Sequence, residues 1–338
     1  MEKIRAWAAR SAGERLEGYD YAPGPLADDE VEVAVETCGI CHSDLSMIDN
    51  AWGFTTYPLV PGHEIVGRIV AMGAQAKGLS LGQRVGIGWA NASCMHCANC
   101  LAGDHHLCND SRATIANHPG GFAERVRAQW LWAIPLPEGL PAEAAGPLFC
   151  GGITVFTPFV DYGISPLSRV GVVGIGGLGH LALKFARAWG CEVTAFTSSP
   201  AKAGEARAFG AHHVVSSTDA QAMTRLAGSL DLVIVTVNVP LDWASLMKTL
   251  APRGRLHFVG AVLEAVPVPP FALIDGEKCV SGSPIGSPAH MAKMLDFCAR
   301  HGILPQVERF PMSRVNEALD HLRAGKARYR IVLEADFD

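Results

Sequence analysis

A two-part α/β architecture is what this sequence predicts: a mostly β first part, then a doubly wound parallel sheet. Three observations carry the prediction. Strand-like runs with frequent Gly and Pro fill the first 150 residues. From Val170 onward, short apolar runs alternate with helical stretches. A glycine-rich turn joins the first of those runs to its helix.

The bulk composition agrees. At 338 residues the chain exceeds the roughly 100 to 200 residues of one domain, so two cores are expected. With 49% hydrophobic and 18% charged residues and no low-complexity run, it reads as ordered and globular. The formal charge of -5 is mild and the basic residues are scattered, which argues against nucleic acid or anionic lipid as partner. Small molecules remain. No apolar run approaches the ~18 residues of a membrane span and the first residues lack a signal-peptide core, so the cytoplasm is the expected location. There, clustered thiols among the ten cysteines point to metal or catalysis rather than disulfides, while Cys38, Cys191, Cys279 and Cys298 have no ligand spacing and read as buried small hydrophobes.

Taken in order, VEVAVET (31–37) alternates as a half-buried strand and EIVGRIVAM (64–72) reads as a second. From Val170 the sequence runs VGVVGI, helical LALKFARAW, CEVTAFT, helical KAGEARAF, HHVVSS, a further helix, DLVIVTV and RLHFVG. Strands alternating with helices imply right-handed βαβ crossovers and a parallel sheet. After about Gly286 two helices follow, near Ala289–Ala299 and Arg314–Ala324, and then a last strand, RIVLEA. That strand has no evident place in the parallel sheet, which leaves it free to return to the first part.

VGVVGI runs directly into Gly174, Gly176, Gly177, Leu178 and Gly179 and then a helix. Glycines there allow a tight turn and close approach of a pyrophosphate, while the helix N-terminus offers free N–H groups, so dinucleotide binding is expected. An NAD site usually places an acid some 20 residues on, at the end of the second strand. Here that stretch reads Phe196, Thr197, Ser198, Ser199, Pro200, Ala201, Lys202. Without a carboxylate to repel a 2′-phosphate, and with hydroxyls and an ammonium to bind one, NADP(H) is favoured over NAD(H). A Ser-Pro helix cap beside a solvated lysine would give the same residues.

Cys94, Cys97, Cys100 and Cys108 fall in SCMHCANCLAGDHHLC. Two-residue gaps let thiolates converge on one ion, and four sulfurs close the tetrahedral sphere of a structural zinc. His96, His105 and His106 are possible substitutes, but four cysteines already saturate the ion. Three isolated candidates remain: Cys41 in CGICHSDL, His63 in PGHEIVG and Cys150 in PLFCGG. Together they would make the Cys2His set of a catalytic zinc with one open position.

These blocks, with GIGGLGH and RYRIVL, resemble the zinc-dependent medium-chain alcohol dehydrogenases, in the cinnamyl-alcohol-dehydrogenase-like branch of NADP-dependent aldehyde reductases. The resemblance spans nearly the whole chain. It implies a GroES-like catalytic domain from residues 1–151 and 287–338, with the structural zinc lobe at 94–108, and a Rossmann domain at 152–286. It implies two zinc ions per chain, with Cys41, His63 and Cys150 as ligands of the catalytic one. Asp44 would hydrogen-bond the ligand histidine, Glu64 would be the neighbouring acid, and Ser43 would take the alcohol proton. His42 and Arg330 match contacts to the cofactor pyrophosphate, and Trp89, with Trp52 as a second candidate, would line the substrate pocket. Many relatives carry a histidine three residues after the hydroxyl residue to complete a proton relay; Ser46 stands there in this chain, so the last relay step differs. A homodimer joined through strands of the cofactor domain is expected.

The implied reaction interconverts primary alcohols and aldehydes, aromatic or medium-sized aliphatic. Three other readings fit the residues less well. An NAD-dependent polyol dehydrogenase often has a carboxylate where Cys150 stands, a zinc-free quinone reductase lacks the four-cysteine lobe, and a non-catalytic sensor would have lost Ser43 or a ligand.

Overall fold

The computed structural model describes residues 3–337, which divide into two compact units. One runs up to Ile153 and resumes at Ile285; the other is Thr154–Pro284.

The first unit is built on a seven-stranded mixed sheet. Its centre is the 11-residue strand Glu30–Ile40, whose alternating Val31, Val33 and Val35 are buried. Ile65–Met72 pairs antiparallel on one side of it. On the other side lie Arg330–Glu334, antiparallel, and then Val307–Pro311, parallel to that strand. The strand RIVLE thus lies in the first unit, with Ile331 opposite Ile40. Arg84–Ile87, Ile134–Pro135 and Arg125–Gln129 complete the sheet, and Ile4–Ala8 forms a separate hairpin with Glu17–Tyr21. The β reading of this region misses short helices, above all His42–Ile48. Seven residues span barely two turns, too few for a hydrophobic period to show, and the helix exists because Leu45, Met47 and Ile48 are buried against the unit's core.

The second unit holds six strands, every pair parallel, in the order His213–Ser216, Glu192–Thr197, Arg169–Val173, Leu230–Val235, Leu250–Phe258, Cys279–Gly282. The order reverses at Arg169–Val173, which creates a crevice beyond the carboxyl ends of the strands. Val172, Val193, Ala195, Leu232, Val233 and Ile234 are completely buried, as a sheet covered on both faces requires. The first strand ends at Val173, short of the apolar run VGVVGI, because Gly174 turns the chain at φ +91°. Among the described residues no single helix is long and apolar enough to cross a membrane.

Candidate metal and nucleotide sites

Three loops of the first unit bring Cys41, His63 and Cys150 together. Cys41 is the N-cap of the helix His42–Ile48, His63 precedes the strand Ile65–Met72, and Cys150 begins the turn into Gly151–Asp161. The ligand atoms of these three residues and of Glu64 all lie within 4.8 Å of one another. Cys150 Sγ is 3.9 Å from Cys41 Sγ, and Ser43 Oγ is 3.7 Å from Cys41 Sγ.

Asp44 organises this cluster. Completely buried, it accepts from the Cys41 N–H at 2.9 Å through Oδ2 and from the Gly62 N–H at 2.9 Å through Oδ1. The same Oδ1 lies 3.0 Å from His63 Nδ1. With Nδ1 committed, His63 presents Nε2 to the cluster, and that buried atom has no hydrogen-bond partner. An orphaned imidazole nitrogen facing two thiols is what a metal ligand looks like before the ion is considered. Two sulfurs and one nitrogen fit a catalytic zinc.

The electrostatics support thiolate character. Cys41 is held well below the ordinary thiol range, first by the hydrogen bond from Cys150, then, against the cost of burial, by the positive charges of Arg330 and His63. That same pairing pushes Cys150 well up, with burial adding to it. For His63, burial opposes the charged ring, but Asp44 and Cys41 outweigh it and the ring lies well above the usual histidine range. Burial raises Glu64, partly opposed by Arg330.

Arg330 is 6% exposed, and its Nη2 donates to Glu64 Oε1. This pairing of two buried charges escapes the sequence reading, which assigned Arg330 to a cofactor phosphate. His42 is exposed on the first helical turn, and Ser46 is half-buried on the same helix. Trp89 packs edge-on against His63 with ring centres 5.1 Å apart, and Trp52 packs edge-on against Trp89 at 5.8 Å. Trp89 therefore stands beside the candidate centre, and Trp52 one ring further out.

Cys94, Cys97, Cys100 and Cys108 form a second cluster, again within 4.8 Å. Backbone N–H groups converge on its sulfurs: Cys97 donates to Cys94 Sγ at 3.3 Å and Cys94 to Cys108 Sγ at 3.4 Å. The backbone N–H of His96 first, then that of Cys97, lowers the Cys94 thiol to about 6, against the opposing effect of burial. Two of the three neighbouring histidines are engaged elsewhere, His96 Nδ1 with the Cys94 carbonyl and His105 Nδ1 with Ser93 Oγ. All ten cysteines are free thiols.

In the second unit the glycine turn leads into the helix Gly179–Trp189. A Cβ at Gly179 would run into the Gly174 carbonyl, so strand and helix approach as closely as they do only because that side chain is missing. The crevice here is a cavity of about 750 Å³ lined by Gly174, Gly176, Thr197, Ser198, Ser199 and Lys202 among others. Lys202 Nζ donates to the Ile175 carbonyl at 3.0 Å, which holds the ammonium across the glycine turn. Thr197 Oγ1 accepts from the Ser199 N–H at 3.1 Å. Ser217 and Thr218, beyond the third strand in sequence order, also line this cavity and were missed; the rule that ligands sit beyond strand carboxyl ends would have found them.

A parallel nucleotide-type sheet together with a thiolate and imidazole centre defines a metal-dependent dehydrogenase. Comparison with known proteins narrows the class. Residues 27–138 match the alcohol dehydrogenase GroES-like domain and residues 177–300 the zinc-binding dehydrogenase family. The chain is 52% identical to aldehyde reductase AdhA of Synechocystis, covering 98% of both chains. It is 40% identical to a probable cinnamyl alcohol dehydrogenase of Oryza sativa, over 97% of this chain and 94% of that one. Among solved structures, a cinnamyl alcohol dehydrogenase from Sorghum bicolor aligns with a TM-score of 0.94 at 38% identity, covering 98% of each chain. That of Helicobacter pylori, solved with NADP(H), aligns at 0.90 and 29%, again over 98% of each. The chain belongs to the zinc-dependent medium-chain alcohol dehydrogenases, in the cinnamyl-alcohol-dehydrogenase-like branch.

Proposed function

We propose that the protein is an NADP(H)-dependent aldehyde reductase that interconverts primary alcohols and aldehydes, with Cys41, His63 and Cys150 holding a catalytic zinc and the four-cysteine lobe a structural one. The observation that carries this is the convergence of two sulfurs and the orphaned His63 Nε2 beside the Ser43 hydroxyl. When bound, zinc supplies a Lewis acid for the alcohol or carbonyl oxygen and the nicotinamide supplies or accepts the hydride. The chain's own residues do the rest. Asp44 fixes the tautomer and direction of His63. Ser43 holds the proton that leaves the alcohol or returns to the aldehyde oxygen. Glu64 and Arg330 neutralise each other behind the ligands, and Trp89 and Trp52 give the pocket an apolar wall. Ser198, Ser199 and Lys202 bind the 2′-phosphate of the cofactor.

Two further readings belong with it. Thiol clusters that hold metal rather than disulfides suit a reducing compartment, in keeping with a cytoplasmic enzyme. The strand Cys279–Gly282 ends the parallel sheet, and Leu263, Phe271 and Ile274 near it in sequence are 73%, 81% and 69% exposed. An open edge flanked by apolar side chains favours a homodimer formed by edge-to-edge pairing, which a monomer on gel filtration would refute.

The test is the initial rate of cinnamaldehyde or benzaldehyde reduction with NADPH and with NADH in parallel. NADPH should be preferred, and Lys202→Ala should cost about tenfold to a hundredfold in kcat/KM for NADPH alone, as expected for loss of a charged hydrogen bond. Equal rates with NADH would overturn the cofactor assignment, and no turnover of any aldehyde would overturn the reaction.

A further inference from the structure

The cavity at the carboxyl ends of the parallel strands extends beyond the glycine turn and the residues read as holding the 2′-phosphate. It continues between two loops, one after the strand His213–Ser216 and one after Leu230–Val235. Both loops are fixed to the phosphate-binding end. The Ser217 N–H donates to the Thr197 carbonyl at 3.2 Å, and Thr236 Oγ1 donates to the Val173 carbonyl at 2.8 Å. The helices that follow the loops, Ala220–Arg225 and Trp243–Thr249, pack against each other. Met223 lines this outer part from the first helix, and Val237, Val239 and Leu241 line it from the second loop. Apolar walls of this kind suit the faces of a flat ring but do not tell one ring from another.

Asp242 and Ser245 line the same part of the cavity, and they carry a preference. Asp242 Oδ1 accepts from the Ser245 N–H at 3.0 Å, and Oδ2 accepts from the Ser245 hydroxyl at 2.6 Å. The hydroxyl first, and then the N–H, holds the Asp242 carboxyl below the ordinary carboxylate range. Ser245 has spent its one proton on Asp242, so toward the cavity both side chains offer acceptors only. Thr218 and Asn238 also line the cavity, but each can donate or accept and sets no preference. We propose that Asp242 and Ser245 read the base of the cofactor, accepting hydrogen bonds from the 6-amino group of adenine and rejecting a 6-oxo purine. In a 6-oxo base an oxygen would face the carboxylate, and neither side could supply the proton. Asp242 is also the N-cap of Trp243–Thr249, and the two duties are compatible because a carboxylate has about four acceptor sites and the cap occupies two.

The inference rests on the reading that a dinucleotide occupies this cavity, and its test separates the two. The probes are NADPH and nicotinamide hypoxanthine dinucleotide phosphate in its reduced form, which differ only in the 6-position of the purine. Cinnamaldehyde reduction is measured with each, and the two 2′-unphosphorylated counterparts are run alongside so that the preference for the phosphate is read separately. The proteins are wild type, Asp242→Asn and, as a control, Asp219→Asn, which alters the cap of Ala220–Arg225 at a residue outside the cavity wall. Wild type and Asp219→Asn should favour the adenine cofactor by about tenfold in kcat/KM, through KM. Asp242→Asn keeps an oxygen for the cap and gains an NH2 that can donate to a 6-oxygen, so its preference should shrink to about twofold or invert. A loss of preference in both variants would trace to helix capping and overturn the base reading. Equal KM for the two purines in wild type, or an undiminished ratio in Asp242→Asn, also overturns it and leaves the dinucleotide site standing. Saturation by none of the four cofactors overturns both.

Discussion

Asp44→Asn is the most informative single change, because one carboxylate serves three donors in a place water does not reach. Oδ2 takes the Cys41 N–H, and Oδ1 takes the Gly62 N–H and faces His63 Nδ1. An asparagine keeps the shape but has one oxygen. Its best orientation keeps the oxygen at the Oδ1 position and turns the NH2 toward the Cys41 N–H, so donor meets donor. The cost is at least one buried hydrogen bond to a charged group, about 1.5 to 3 kcal/mol. At about 1.4 kcal/mol per factor of ten, zinc at the Cys41, His63 and Cys150 set should bind about tenfold to a hundredfold more weakly. The assay is metal content after dialysis against graded chelator, read beside activity. Wild type should retain two zinc ions per chain at chelator concentrations where Asp44→Asn retains one and loses activity in step, and activity should return with added zinc. Two ions and full activity in the variant at every chelator concentration would refute the claim that Asp44 holds the ligand geometry.

Two further predictions follow from other parts of the fold. Cys100→Ser removes one sulfur of the four-cysteine lobe, so zinc content should drop by one and the half-life at raised temperature should shorten about tenfold or more, with kcat at 25 °C nearly kept; a collapse of kcat in protein that remains folded would show that the lobe does more than brace the unit. His257, completely buried between Ser281 and Ser283, is lowered to about 4, first by burial and then by Arg255. Because its folded value lies below the unfolded value of about 6.5, stability is full above that pH and should fall by about 2 to 3 kcal/mol as the pH drops toward 4. His257→Asn should flatten that slope in pH-dependent denaturation, and an unchanged slope would remove His257 as its source.

Local, contiguous chemistry was legible in the sequence. The four-cysteine lobe and the glycine turn announce themselves because their members lie within a few residues of one another, and the backbone alone brings their sulfurs or N–H groups to one point. The alternation of apolar strands and helices from Val170 likewise follows from side-chain periodicity. Cys41, His63 and Cys150 stand out in the sequence as isolated ligand candidates that together suit a Cys2His set, but only the resemblance assigned them to one ion, since nothing in their spacing makes three distant residues meet. Ser217 and Thr218 carry no motif of their own, and only their place beyond a strand's carboxyl end marks them as cavity residues.

The sequence by itself determined the secondary-structure alternation, the thiol lobe and the nucleotide turn, each a matter of neighbours along the chain. Only the tertiary structure decided the company kept at the catalytic centre. Antiparallel pairing of Arg330–Glu334 with Glu30–Ile40 sets Ile331 opposite Ile40 and so carries Arg330 to Glu64, a partner 266 residues away. The reason is physical: a buried charge is tolerable only beside its counter-charge, and sheet register is what brings the two together.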